Sequence, residues 1–178
     1  MRKLERKFVR GQLIHGAGEN GGAWQIIDGS VRLDRPSTNG SMFAGLARSG
    51  DVIGVEALAD GAYQFDAVAL CNCTLRRWVR GSGKSSILQL LAAVERRGAE
   101  TLALRCGDAL ARVRHLILML ADGRRDTIAI PLAKDMAEMT DLAEETVSRA
   151  FSALRRQGLL KKYGARFGLV HRPPLQAA

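Results

Sequence analysis

The chain has 178 residues, with 27 lysines and arginines against 18 aspartates and glutamates, a formal net charge of +9. Its 47% hydrophobic and 25% charged residues are ordinary globular composition and argue against a disordered chain. No run reaches the ~18 apolar residues of a membrane helix, the start MRKLERKFVR holds no apolar signal core, and Cys71, Cys73 and Cys106 leave an odd count, so a reducing cytoplasm is expected and no membrane partner.

The first 80 residues punctuate as β structure. Short runs at 24–27, 30–33 and 67–70 are broken by Gly21-Gly22, Asp28-Gly29, Gly40, Gly50-Asp51 and Asp60-Gly61, a pattern that predicts a roll, barrel or sandwich. From Ser85 the period changes: Ile87, Leu90, Leu91, Val94 and Leu102 recur at steps of three and four, predicting one long amphipathic helix. Gly98 interrupts it, as a weak point or as a place where two helix backbones approach. Gly107-Asp108 reads as a stop followed by an N-cap, and Leu110, Val113, Leu116, Ile117 and Leu120 mark a second helix.

Beyond Asp122-Gly123 the pattern gives a short strand at 127–130, helices at 132–139 and 144–157, and a hairpin of 159–162 with 167–170 around Tyr163-Gly164. Helix, short turn, helix, hairpin is the order of a winged helix-turn-helix. The apolar positions Leu132, Met136, Met139, Leu142, Val147, Phe151, Leu154 and Leu159 are expected to pack its two helices together.

Charge sharpens this expectation. Residues 1–80, 81–121 and 122–178 each carry a net +3, yet from Thr146 onward there is no acid, while Arg149, Arg155, Arg156, Lys161, Lys162, Arg166 and Arg172 supply seven bases. On charge alone that is either a polyanion footprint or a solvated face. The first turn of the second helix is polar, with Glu144, Glu145, Thr146, Ser148 and Arg149. In a helix-turn-helix that turn enters the major groove, where Arg donates two bonds to guanine, Glu accepts from cytosine and Ser reaches either. The plainer alternative for Glu145 and Arg149, four apart, is a helix salt bridge.

Residues 130–170 resemble the DNA-binding domain of the CRP/FNR superfamily of bacterial transcription regulators. Glu145-Thr146-Val147-Ser148-Arg149 matches the E-x-x-S-R recognition pattern of its FNR and FixK branches. Leu13-Ile14-His15, the stretch Ile26-Ile27-Asp28-Gly29-Ser30-Val31, and Gly50-Asp51-Val52-Ile53-Gly54 resemble the superfamily's cyclic-nucleotide-type β-roll. The resemblance implies an α+β chain in three parts: a β-roll sensor domain at 1–80, a dimerisation helix at 81–107 and a winged helix-turn-helix at 108–178. It further implies a homodimer on double-stranded DNA, an inverted repeat of TTGAT-like half-sites, and RNA polymerase as a partner. The implied DNA contacts are Glu144, Glu145, Thr146, Ser148 and Arg149 on the recognition helix, with Lys161, Lys162 and Arg166 on the wing.

The departures from the pattern carry information too. The cyclic-phosphate arginine of cAMP-binding members has no counterpart in Ala62-Tyr63-Gln64-Phe65, and a buried phosphate without that partner is poorly compensated. Cyclic-nucleotide binding is therefore not expected. An FNR-type iron–sulfur cluster is excluded as well, since four thiolates are needed and the three cysteines begin at Cys71. Gly81-Ser82-Gly83-Lys84-Ser85-Ser86 contains GKS, but Trp78 stands where a phosphate loop needs its first glycine, so it reads as a helix entry. Cys71 and Cys73 face the same way if they lie on a strand, as core residues or as a redox pair. His15, His115 and His171 lack ligand spacing, and no nucleophile–base set appears, so no metal, cofactor or catalytic residue is expected. The competing reading is a small-ligand sensor with an output other than DNA binding, which would have no use for the helix-turn-helix.

Overall fold

The computed structural model describes residues 5–38, 40–79, 84–121, 127–163 and 167–170. They divide into two compact units, Met1–Ala99 and Glu100–Ala178.

The first unit contains β1 (Glu5–Phe8), β2 (Leu13–His15), β3 (Trp24–Asp28), β4 (Ser30–Ser37), β5 (Gly40–Arg48), β6 (Val52–Ile53), α1 (Ala57–Asp60), β7 (Asp66–Ala69) and β8 (Cys73–Arg77). The strands pair antiparallel in two four-stranded sheets, ordered β1-β8-β3-β6 and β2-β7-β4-β5. Alternation along each strand sends one set of side chains inward. Phe8, Trp24, Ile26, Ile53, Cys73 and Leu75 from the first sheet meet Val31, Leu33, Ala47, Ala67 and Ala69 from the second in a single core. The predicted β domain is therefore a two-sheet roll. β5 and α1, which the turn signals do not reveal, complete it.

The helix α2 (Lys84–Ala103) follows. It runs through Gly98 without a break, and a Cβ at Gly98 would meet nothing within 4 Å. Gly98 is therefore not a weak point: one helical glycine costs only ~1 kcal/mol, too little to break a helix of twenty residues. The Gly50-Asp51 turn supplies a tether, because the buried Asp51 carboxylate accepts from Arg96 on α2 and from the Arg48 N–H at 2.9 Å.

The second unit contains α3 (Ala109–Ala121), β9 (Thr127–Ala129), α4 (Ala133–Thr140), α5 (Glu144–Arg156), β10 (Leu160–Tyr163) and β11 (Phe167–Val170). Asp108 caps α3 as expected, its Oδ1 accepting the Ala111 N–H at 2.8 Å. Val113, Leu116 and Ile117 of α3 are buried, as are Met136, Met139, Val147 and Leu154, and β10-β11-β9 form an antiparallel sheet. Leu132 corrects the predicted packing set. It is 59% exposed, because it stands in extended conformation at the N-cap of α4, ahead of the first turn that faces α5. Gly81–Gly83, Asp122-Gly123, Gly164, Arg166, His171 and Arg172 lie outside the described residues.

Candidate nucleic-acid interface

The second unit holds α5 as a presented helix. Val147, Ala150 and Leu154, at steps of three and four, are buried, while Glu144, Glu145, Ser148, Arg149, Ser152, Arg155 and Arg156 are exposed on the other side. Thr146 is half-buried. The turn that feeds α5 is fixed from several directions. Asp141 takes the left-handed conformation (φ 53°), which Asp tolerates better than most residues, and the Leu142 N–H donates to the Ala137 carbonyl at 3.0 Å. The Thr140 hydroxyl donates to the Met136 carbonyl at 2.6 Å. The Arg112 guanidinium on α3 joins the Thr140 carbonyl at 3.3 Å and the Gly107 carbonyl at 3.0 Å.

Glu145 and Arg149 do pair, with side chains 75% and 76% exposed. An exposed i,i+4 pair is worth only ~0.3–0.5 kcal/mol, whereas a bidentate Arg–guanine contact discriminates by ~1–3 kcal/mol. The salt bridge therefore does not withhold Arg149 from DNA. Ala143, the N-cap of α5, offers no side-chain bond to the first turn, and the Glu144 and Glu145 carboxylates offset the helix dipole there. Lys161 is exposed on β10, opposite Leu169. Lys162 pairs with Gly168 in the same hairpin, and nothing is described of its side chain. Of the sequence-predicted residues on α5, Glu144, Glu145, Ser148 and Arg149 thus share the outer face and Thr146 lies at its edge, with the hairpin following in the same unit.

The interior of the roll carries features that the motifs did not reveal. Tyr63, in the segment where the phosphate arginine is absent, is 5% exposed. Its hydroxyl donates to the Gly22 carbonyl at 2.8 Å and accepts the Gly22 N–H at 3.0 Å. A Cβ at Gly21 or Gly54 would fall 2.0 or 2.6 Å from the Tyr63 side chain, so glycine is required at both for the ring to enter. The His15 ring stacks on Tyr63 at 3.7 Å. Burial lowers the His15 pKa, opposed in part by Glu56, the Phe65 backbone, Glu19 and Asp66. These carboxylates take up local backbone donors: Asp66 accepts from Ala17 at 2.8 Å, Glu19 from Gly16 at 3.0 Å and Glu56 from Gln64 at 3.4 Å. Three carboxylates thus act on the His15 ring, and Tyr63 stacks against it. Among the described residues no cluster of three His, Cys, Asp or Glu side chains suits a metal ion, and no helix is long and apolar enough to cross a membrane.

Comparison with known proteins agrees with both units. The family described as cyclic nucleotide-binding domain matches residues 5–92, and the Crp-like helix-turn-helix domain matches residues 111–178. The transcriptional regulator LdrP of Thermus thermophilus is 27% identical over 168 residues, covering 87% of this chain and 86% of its own. LdrP from a second strain of that organism gives the same figures. Among solved structures, a CRP-family transcriptional regulator from Thermus thermophilus is similar in fold, with a TM-score of 0.73 at 23% identity over 96% of this chain and 94% of that one. FixK2 from Bradyrhizobium japonicum is equally similar, with a TM-score of 0.73 at 24% identity over 99% and 96% of the two chains.

Proposed function

The chain belongs to the CRP/FNR family of transcription regulators, and from that premise we propose that it acts as a homodimer reading an inverted repeat of TTGAT-like half-sites without control by cAMP. It is a DNA-binding regulator and not an enzyme. The observation that carries the reading is the outer face of α5, where Glu145, Ser148 and Arg149 stand together in solvent on a braced helix-turn-helix. Within this reading Glu144 and Thr146 flank the base contacts, while Lys161, Lys162 and Arg166 meet phosphates on the wing. The three parts are a roll at 1–80, a dimerisation helix at 81–107 and a DNA-binding domain at 108–178.

The stripe on α2 supports the dimer. Leu91 and Val94 are each 56% exposed and Leu102 is 67% exposed, apolar area that a second parallel helix removes from water. A two-fold dimer then requires a palindromic site with half-sites about one helical turn apart. Independence from cAMP is supported by Tyr63 and the three carboxylates in place of a cationic phosphate clamp. RNA polymerase is the remaining partner in this reading, and the cytoplasm its compartment.

The test is selection of bound fragments from random DNA by the full chain, followed by titration on matched and mutated sites. The selected consensus should be an inverted repeat, and Arg149→Ala should cost ~1–3 kcal/mol and relax choice at one guanine. An equal loss on every sequence would make Arg149 a phosphate clamp and remove it from base reading. Tight binding of cAMP in calorimetry would overturn the cAMP-independent reading.

A further inference from the structure

The transition from β7 to β8 brings two thiols onto one residue. The strand begins at Cys73, and Cys71 lies in the bend before it, so the predicted common strand face is not what joins them. Ser30 is. Its backbone N–H donates to Cys71 Sγ at 3.3 Å, and its carbonyl lies 3.3 Å from the Cys73 thiol, which also has the Cys71 carbonyl at 3.2 Å. Gly29 admits this arrangement: it has φ +100°, and a Cβ there would lie 2.6 Å from Cys73 Sγ. Two residues apart, the Cys71 and Cys73 Cα atoms can be separated by at most about 7 Å, and the bend at Cys71 shortens this toward the ~4.4–6.8 Å that a disulfide spans. The two positions differ in access, since Cys73 is 2% exposed in the core while Cys71 is half-buried at its edge.

We propose that Cys71 and Cys73 form a thiol–disulfide site, in which Cys71 attacks a peroxide and Cys73 closes the bond. The Cys71 thiolate attacks one oxygen of hydrogen peroxide and the O–O bond breaks. Cys71 becomes a sulfenic acid, its sulfur oxidised by two electrons, and the displaced hydroxide leaves as water. Cys73 then attacks the Cys71 sulfur, forming the S–S bond and breaking S–O. The second hydroxide leaves with the Cys73 proton as water. Two thiols and one peroxide thus give one disulfide and two waters.

The electrostatics assign the order. The Cys73 thiol donates to Cys71 and lowers its pKa to about 7, with the Ser30 N–H and Arg10 assisting against burial. The same hydrogen bond, with burial, raises Cys73, which keeps its proton while Cys71 is a thiolate. Oxidation of Cys71 removes the negative charge that held the proton on Cys73, so the second thiol is released for attack when its target forms.

The experiment uses the full chain, reduced, freed of reductant and treated with a few equivalents of hydrogen peroxide. Titratable thiols should fall from three to one, with a mass loss of two hydrogens, one Cys71–Cys73 linkage in peptide maps, and recovery by dithiothreitol. Cys106→Ser should respond in the same way. Cys73→Ser should stop at a sulfenic acid that dimedone traps at residue 71, and Cys71→Ser should lose the reaction. On unmutated protein, the rate of iodoacetamide attack at Cys71 should rise through an inflection near pH 7, a readout that needs no variant to fold. Three thiols surviving the peroxide, oxidation confined to Cys106, or an alkylation inflection in the ordinary thiol range would each overturn the proposal.

Discussion

Tyr63→Phe isolates the polar contact that closes the roll. The substitution keeps the ring, its stack on His15 at 3.7 Å and its fit against Gly21 and Gly54, and deletes only the hydroxyl. That hydroxyl satisfies both polar groups of Gly22, the carbonyl at 2.8 Å and the N–H at 3.0 Å, and Gly22 is itself buried. A buried backbone group left without a partner costs ~1–3 kcal/mol, so two orphans destabilise the unit by about 2–4 kcal/mol after the gain of an apolar ring edge. For a unit of 99 residues, an unfolding entropy of ~2.1 cal/mol/K per residue makes each kcal/mol worth about 5 °C in Tm, giving a fall of about 10–20 °C. The assay is thermal unfolding followed by tryptophan fluorescence, because both tryptophans, Trp24 and Trp78, belong to this unit and report on it alone. A fall below ~3 °C would mean that water replaces both bonds and that the ring, not the hydroxyl, does the closing. Tyr63→Leu, which loses the bonds and ring volume together, should be worse than Tyr63→Phe.

The stability of the same unit should depend on pH through His15. Its folded pKa lies below the unfolded value of ~6.5, so the unfolded chain binds more protons once pH drops under ~6.5. This contribution is complete above that pH and lost as pH falls toward the folded pKa; His15→Phe, followed by the same fluorescence, should remove that part of the acid sensitivity. On α2, Leu91→Glu with Val94→Glu deletes two half-exposed apolar side chains in each protomer, each worth ~1 kcal/mol of further burial. The dimer should weaken by about 4 kcal/mol, roughly a thousandfold in Kd, read by sedimentation velocity. A wild-type monomer at micromolar concentration would refute the dimer itself. Lys161→Ala should lower affinity alike on all sequences and reduce the salt slope by ~1, measured by titration at several salt concentrations; a sequence-dependent loss would place Lys161 on a base.

Local rules were sufficient for the second unit. The three- and four-residue spacing of Val113, Leu116 and Ile117, the Asp108 cap and the polar first turn of α5 each act within a few residues, so the chain itself reveals them. Leu132 escaped because exposure at a helix entry depends on which turn faces a neighbour, and apolar character does not record that. The roll is less transparent. Its turns are visible as glycines, but β5 from Gly40 to Arg48 is held in place through pairing with β4, and strand pairing is a non-local choice.

The sequence by itself determined the class of the chain, the order of its elements, the polar first turn of α5 with Glu145, Ser148 and Arg149, and a roll segment 62–65 without an arginine. All of these are properties of residue type and spacing along one segment. Only the tertiary structure decided which distant groups meet inside the roll. Tyr63 is paired to Gly22 across 41 positions, Asp66 to Ala17 across 49, and Cys71 and Cys73 to Ser30 across 41 and 43. Contacts so distant along the chain are fixed when two sheets close on a common core, since burial forces each polar group to find whatever partner the fold brings within reach.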